Sequence, residues 1–173
     1  MRVKRIEHVM TPYWLLFLFP ALFALASTPT YRDTSRVRLN TAWVGALLAL
    51  TLMIGLRFRV GGDWYSYLEH IERASEMTVA TILSKAEPAY WMTAYWAVQS
   101  GTGIVGLNLV TGLCFSLGLV YFCRSLPRPW LALATAVPYM VIVVSMGYSR
   151  QAAALGLVML ALVALGRQSV IWF

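Results

Sequence analysis

The sequence predicts an all-α, polytopic integral membrane protein with an interfacial amphipathic helix and one half-length apolar segment. Three observations lead there. Of the 173 residues, 60% are hydrophobic and only 12% are charged, against about 25% charged in a soluble domain. Mean hydropathy is +0.67, so polar side chains are too few to cover a globule and lipid must solvate much of the surface. The apolar residues also fall in helix-length runs broken by short arginine-bearing segments. The whole of 1–173 reads as a single transmembrane domain, and the apolar finish Val170-Ile-Trp-Phe173 as the N-terminal part of a longer chain.

Met1 to Met10 is basic and mildly amphipathic, an interfacial lead-in. Tyr13 to Ser27 is the first helix, with Trp14 at its edge where aromatic belts lie and Pro20 as a kink. It reads as a retained helix and not a cleaved signal, because membrane helices follow. A loop with Arg32, Arg36 and Arg38 leads to the second helix, Thr41 to Leu56. Ser66 to Met77 is amphipathic, with Tyr67, Leu68 and Ile71 on its apolar side and Glu69, Glu72, Arg73 and Glu76 on the other, which makes it interfacial. Glu87-Pro88 opens the aromatic segment Ala89 to Ser100. Twelve helical residues cover only about 18 Å of a roughly 30 Å hydrocarbon core. That segment is therefore re-entrant, or it runs on through Gly101-Thr-Gly103 to span. Leu107 to Cys123, Trp130 to Met146 (with Pro138 inside) and Ala152 to Leu165 complete the helices. Arg124, Arg128 and Arg167 read as topology charges.

The net charge of +7, from 14 Lys plus Arg against 7 Asp plus Glu, belongs at lipid headgroups in so apolar a chain, and not on nucleic acid. Cys114 and Cys123 sit about 13 Å apart along one helix, too far for a disulfide. With His8 and His70 the only histidines, no metal-ligand spacing is visible. Loops with an excess of basic residues mark the cytoplasmic side, which places the mixed-charge 57–88 loop outside and Arg150 on the same outer face.

Polar chemistry gathers at two places. Arg57-Phe-Arg-Val-Gly-Gly-Asp-Trp-Tyr-Ser-Tyr67 interrupts the apolar pattern abruptly. Arg57 and Arg59 offer planar forks matched to phosphate or carboxylate oxygens. Gly61 and Gly62 permit close backbone approach. Asp63 is expected to stay ionised beside these arginines, orienting them or accepting a proton from a hydroxyl, with Tyr67 lining the site. The second place is Tyr148-Ser-Arg-Gln151, where Arg150 lies in a short break between two apolar runs and is held close to the bilayer. Snorkelling arginines and a plain Gly-Gly turn would account for the same residues without a ligand.

Arg57-x-x-Val60-Gly61-x-Asp63-x-x-x-Tyr67, then Glu87-Pro88-x-Tyr90, then Arg150-Gln151-x-x-Ala154 resemble the EpsG-type polysaccharide polymerase family, itself similar to Wzy-like O-antigen and capsular polymerases. The likeness runs from about Leu56 to Leu165, with Gly62 standing where that family often has Thr. The resemblance implies a bacterial cytoplasmic-membrane glycosyltransferase that joins undecaprenyl-pyrophosphate-linked repeat units without metal or other cofactor. A flippase and a chain-length regulator of the same pathway would be its partners. It also implies roles. Asp63, Glu87 and Arg150 would be catalytic, with Asp63 or Glu87 as candidate base. Arg57, Arg59, Gly61, Tyr67 and Gln151 would bind pyrophosphate and sugar. A transporter or flippase component is the rival reading, but it wants charges in mid-helix, which the apolar runs lack. A glycan-modifying acyltransferase is the other, and wants a histidine better placed than His70.

Overall fold

The computed structural model describes residues 2–27 and 40–166, with side chains from Met10 onward. Every element among the described residues is helical: α1 (Arg2–Ala26), α2 (Thr41–Gly55), α3 (Trp64–Ser75), α4 (Val79–Leu83), α5 (Pro88–Gln99), α6 (Gly103–Ser125), α7 (Pro129–Ala136), a π-helix (Val137–Ser145) and α8 (Ser149–Gly166). Two of them, α6 and α8, are long and apolar enough to cross a membrane, and Met10–Ala26, Thr41–Gly55 and Pro129–Ser145 are shorter apolar stretches. The loop carrying Arg32, Arg36 and Arg38, together with Arg167 and the apolar end 170–173, lies outside the described residues.

Local chemistry explains the boundaries. Asn40 caps α2, its Oδ1 accepting from the Trp43 amide at 3.2 Å. Pro88 and Pro129 open α5 and α7 at first-turn positions, where a missing N–H costs nothing. Gly101 and Gly103 have φ of 70° and 55°, a left-handed backbone that glycine adopts without penalty. The chain reverses there, so α5 stops at Gln99 and α6 begins at Gly103 and packs back against it. Of the two readings of the aromatic segment, the one in which it runs on through the glycines is thereby excluded, and α6 starts four residues before Leu107. The basic lead-in is likewise continuous with α1. Trp130 to Met146 is not one α-helix. Pro138 cannot donate to the carbonyl four residues back, and from Val137 the ladder runs in the wider π register.

The core is α6, against which α2 and α8 both pack. Phe115, Leu119 and Val120 of α6 are at most 1% exposed, as is Ile54 of α2. Small residues set these contacts. A Cβ on Gly118 would collide with the Gly156 backbone, and one on Gly156 with the carbonyl of Cys114. Far from the α2 C-terminus, Trp43 stacks on Trp130 at 4.0 Å between centroids. Arg124, read as a topology charge, is buried there, its guanidinium carbon 5.6 Å from the Trp43 ring centre. At the other end α3, α4 and α5 sit together. The inner face of α3 is Trp64, Tyr67, Ile71 and Ala74, a helical spacing of three and four. Leu68, expected on the apolar side, is exposed, while Glu69 and Arg73 pair at 3.3 Å in solvent.

Because the obstacles at Gly118 and Gly156 are backbone atoms that cannot swing aside, Gly118→Val and Gly156→Val should each destabilise the protein by about 3 kcal/mol. Gly45→Ala, with open space around the new methyl, should be neutral or stabilising by up to about 1 kcal/mol. Unfolding of the purified variants in detergent, followed by circular dichroism, measures both.

Candidate functional site

Arg57 follows the last turn of α2 and turns inward. Its Nη1 donates to the Ser145 carbonyl at 2.8 Å. Its Nη2 donates to Asn108 Oδ1 at 3.2 Å and to Ser149 Oγ at 2.5 Å. Ser149 in turn donates to Asn108 Oδ1 at 2.9 Å. One guanidinium thus ties the end of α2 to α6, to the end of the π-helix and to the start of α8. Arg57, Asn108, Ser145 and Ser149 are all buried, and Arg57 Nε and Asn108 Nδ2 lack hydrogen-bond partners. Burial lowers the proton affinity of Arg57 from its ordinary value, but guanidinium starts so high that the charge remains.

The backbone that follows packs on the same junction. Gly61 has φ 105°, and a Cβ there would strike the Met146 carbonyl and come within 3.1 Å of the Gly147 carbonyl. Glycine is required at this point for both conformation and space; nothing lies near the Gly62 Cβ position. Arg59 has φ 54° and points outward, its guanidinium 5.2 Å from the Phe58 ring centre. Asp63 occupies the N-cap position of α3 without bonding that helix through its side chain.

Arg150 is the second focus. Nη1 donates to Glu87 Oε2 at 2.9 Å, and the two side chains are 43% and 52% exposed. Its guanidinium carbon lies 5.3 Å from the Tyr90 ring centre, and its backbone N–H points to the buried Tyr67 hydroxyl at 3.4 Å. The Tyr90 hydroxyl approaches His70 Nδ1 at 2.9 Å, and the Trp91 ring lies tilted against the same imidazole, 5.1 Å between centroids. Gln151 is exposed one residue further along α8.

The structure therefore brings together Arg57, Gly61, Tyr67, Glu87 and Arg150, from segments up to 92 residues apart. It does not bring Asp63 to an arginine. The expected Asp63 pairing is corrected: among the described residues the arginine–carboxylate pair at this end, outside the Arg73–Glu69 pair of α3, is Arg150–Glu87. Arg57 is drawn inward by three uncharged acceptors, and the left-handed backbone at Arg59 turns that side chain to solvent. Nor do three His, Cys, Asp or Glu side chains gather as an ion-binding group among the described residues. Two concavities lie elsewhere. One of about 430 Å³ between α1 and α2 is lined without any ionisable group. Another of about 780 Å³ at the Trp43 end has only Arg128 as a charged lining residue. Charge and hydrogen-bonding capacity, not hollow volume, mark the site.

A family model described as the EpsG family matches residues 40–173. The chain belongs to the EpsG family. The match begins at the cap of α2 and takes in every residue of the polar cluster. EpsG membership points to a membrane polymerase of polysaccharide biosynthesis. No curated protein and no solved structure matches the chain.

Asn108, Ser145 and His70 were not among the residues the sequence singled out. Asn108 had a usable signal, as the lone amide in an otherwise apolar helix, where polar side chains are kept for a partner. Replacing Arg57 by Ala strands the acceptors of three segments, and a loss of about 3–5 kcal/mol follows. Arg57→Lys should recover only part, because a single ammonium lacks the fork that reaches Ser145, Asn108 and Ser149 together. Thermal unfolding of both variants, with limited proteolysis in the 57–63 segment, gives the comparison.

Proposed function

We propose that this EpsG family member is a polytopic glycosyltransferase of the bacterial cytoplasmic membrane that polymerises undecaprenyl-pyrophosphate-linked repeat units into exopolysaccharide, capsule or O-antigen. The observation that supports it best is the meeting of the 57–67 segment, the Glu87–Tyr90 turn and the 148–151 break at one end of the helical bundle. A donor of this class leaves as a diphosphate, whose growing charge requires cations fixed in place before the reaction.

Arg150 is suited to meet that charge directly. Its pair with Glu87 is solvent-exposed, and exposed pairs are worth only about 0–1 kcal/mol. A diphosphate can displace Glu87 at little cost and takes the guanidinium in a bidentate grip. Glu87, once released, is free to engage hydroxyls of the acceptor sugar, with the exposed Gln151 next to Arg150 and the part-buried Asp63 at the start of α3 as further polar groups. Arg57 contributes a fixed positive charge behind the start of α8, whose N-terminal dipole has the same sign. Gly61 lets the backbone lie close to the junction, and Tyr67 fixes the Arg150 backbone. In this reading guanidinium groups meet the leaving group's charge without a metal ion, and the 57–88 loop faces away from the cytoplasm.

Arg150→Ala should cut polymer formation from lipid-linked repeat units in proteoliposomes by at least about 100-fold, with insertion and unfolding temperature unchanged. Normal polymer lengths in that variant would sink the proposal. Glu87→Gln frees Arg150 and should tighten binding of a non-reactive polyprenyl diphosphate while slowing transfer.

A further inference from the structure

Resting on that reading of the reaction, one question is open: where the acceptor hydroxyl's proton goes. Glu87 pairs with Arg150 at 2.9 Å and, once displaced by the diphosphate, engages hydroxyls of the acceptor sugar as a hydrogen-bond acceptor. Asp63 shares no hydrogen bond or ring contact with the Arg150 cluster. His70 does stand against it. The imidazole is half-buried between α3 and α5, with ring centres of Tyr67, Tyr90 and Trp91 at 6.0, 5.7 and 5.1 Å. Its Nδ1 is 2.9 Å from Tyr90 Oη, and Arg150 lies over the ring of the same tyrosine. In the tautomer that donates Nδ1–H to Tyr90 Oη, the Nε2 lone pair has no partner among the described residues.

We infer that His70 is the proton acceptor of the glycosyl transfer, oriented by Tyr90, with Arg150 holding the diphosphate on the other side of that tyrosine. The acceptor hydroxyl oxygen forms the new bond to the anomeric carbon of the donor. The bond from that carbon to the diphosphate oxygen breaks, its electron pair leaves on the diphosphate, and the hydroxyl proton passes to His70 Nε2 and then to water.

The surroundings suit a neutral imidazole. Burial, then Arg150 and Arg73, lower its proton affinity below the usual histidine value, while Glu69 and Glu87 push less strongly the other way. Tyr90 beside it stays a phenol, its acidity suppressed by burial. The neutral form is the active one. The rate is therefore full at neutral pH and falls as pH drops through a value below about 6.5.

The test is the pH–rate profile of the intact protein in proteoliposomes with a lipid-diphosphate-linked repeat unit. His70→Asn, which keeps a hydrogen-bonding group near Tyr90, should lower kcat by about 100-fold with KM unchanged and abolish the acid limb. Added imidazole should restore turnover to His70→Ala. Tyr90→Phe should keep the limb but lower the rate about tenfold. Wild-type kcat in His70→Asn, or a slow variant that keeps the acid limb, would overturn the assignment while leaving the polymerase reading intact, provided Arg150→Ala is inactive. Absence of transfer by the wild-type protein would remove both.

Discussion

The buried guanidinium of Arg57 organises the polar end of this fold. Arg57 lies 7% exposed, and no carboxylate is bonded to it among the described residues. Its charge is balanced by dipoles alone: the Ser145 carbonyl, the Asn108 amide oxygen and the Ser149 hydroxyl. Removing an ion from water costs several kcal/mol even after relaxation, so the arrangement survives only if every acceptor stays in place. That requirement explains the breaks around it. The π-helix ends at Ser145 and α8 starts at Ser149, and a helix end is where carbonyls lack intrahelical donors. The interruption between two apolar helices is thus the feature that supplies Arg57 with an acceptor.

The second arginine is built on the opposite principle. Arg150 is held by a carboxylate that solvent reaches easily, so its pairing is exchangeable where that of Arg57 is not. The two cations are coupled through adjacent residues, since Ser149 binds the first and Arg150 carries the second. A fixed charge behind and a replaceable pair in front give a field that is set in advance, the property that the proposed electrostatic catalysis requires. The aromatic wall of Tyr67, Tyr90 and Trp91 completes it: the Tyr67 hydroxyl meets the Arg150 backbone, and the ring faces of Tyr90 and Trp91 lie against Arg150 and Lys85.

How far the sequence alone could go depended on the range of each interaction. That the chain is built of apolar helices followed from composition and pattern, because helix-length runs of apolar residues constrain a chain whatever its contacts. The two polar interruptions were legible for the same reason, since arginines bordering hydrocarbon stand out. Gly61 was recognised as a point of close backbone approach, although its neighbour is the Met146–Gly147 backbone. What stayed hidden were pairings across long separations. Whether Arg57 meets Asp63 six residues on, or Ser149 ninety-two residues on, depends on which way a side chain turns at the end of α2. Periodicity says nothing about that. The contact of His70 with Tyr90 was hidden for the same reason, since a histidine on an amphipathic helix is ordinary until the tyrosine is seen beside it. The π-helix escaped because Pro138 announces an irregularity without stating which form it takes.

Packing and chemistry are joined by α6. Its glycines bring neighbouring helices close: Gly112 against Ile54 of α2 at 3.0 Å from where a Cβ would stand, and Gly118 against the Gly156 backbone of α8. Small residues are the means by which helices approach when lipid offers no hydrophobic drive. The approach has a consequence at the polar end. Asn108, one turn before Gly112, has a short side chain, and it reaches Arg57 and Ser149 together only because both flanking helices are pulled in. Widening the α6–α8 contact by the thickness of a methyl group would lengthen the Asn108–Ser149 bond beyond 3.5 Å, past useful hydrogen bonding. The buried cation would then no longer reach Asn108 and Ser149 together. The glycines in the apolar layer and the arginine at its edge therefore belong to one constraint, with the first setting the spacing that makes the second tolerable.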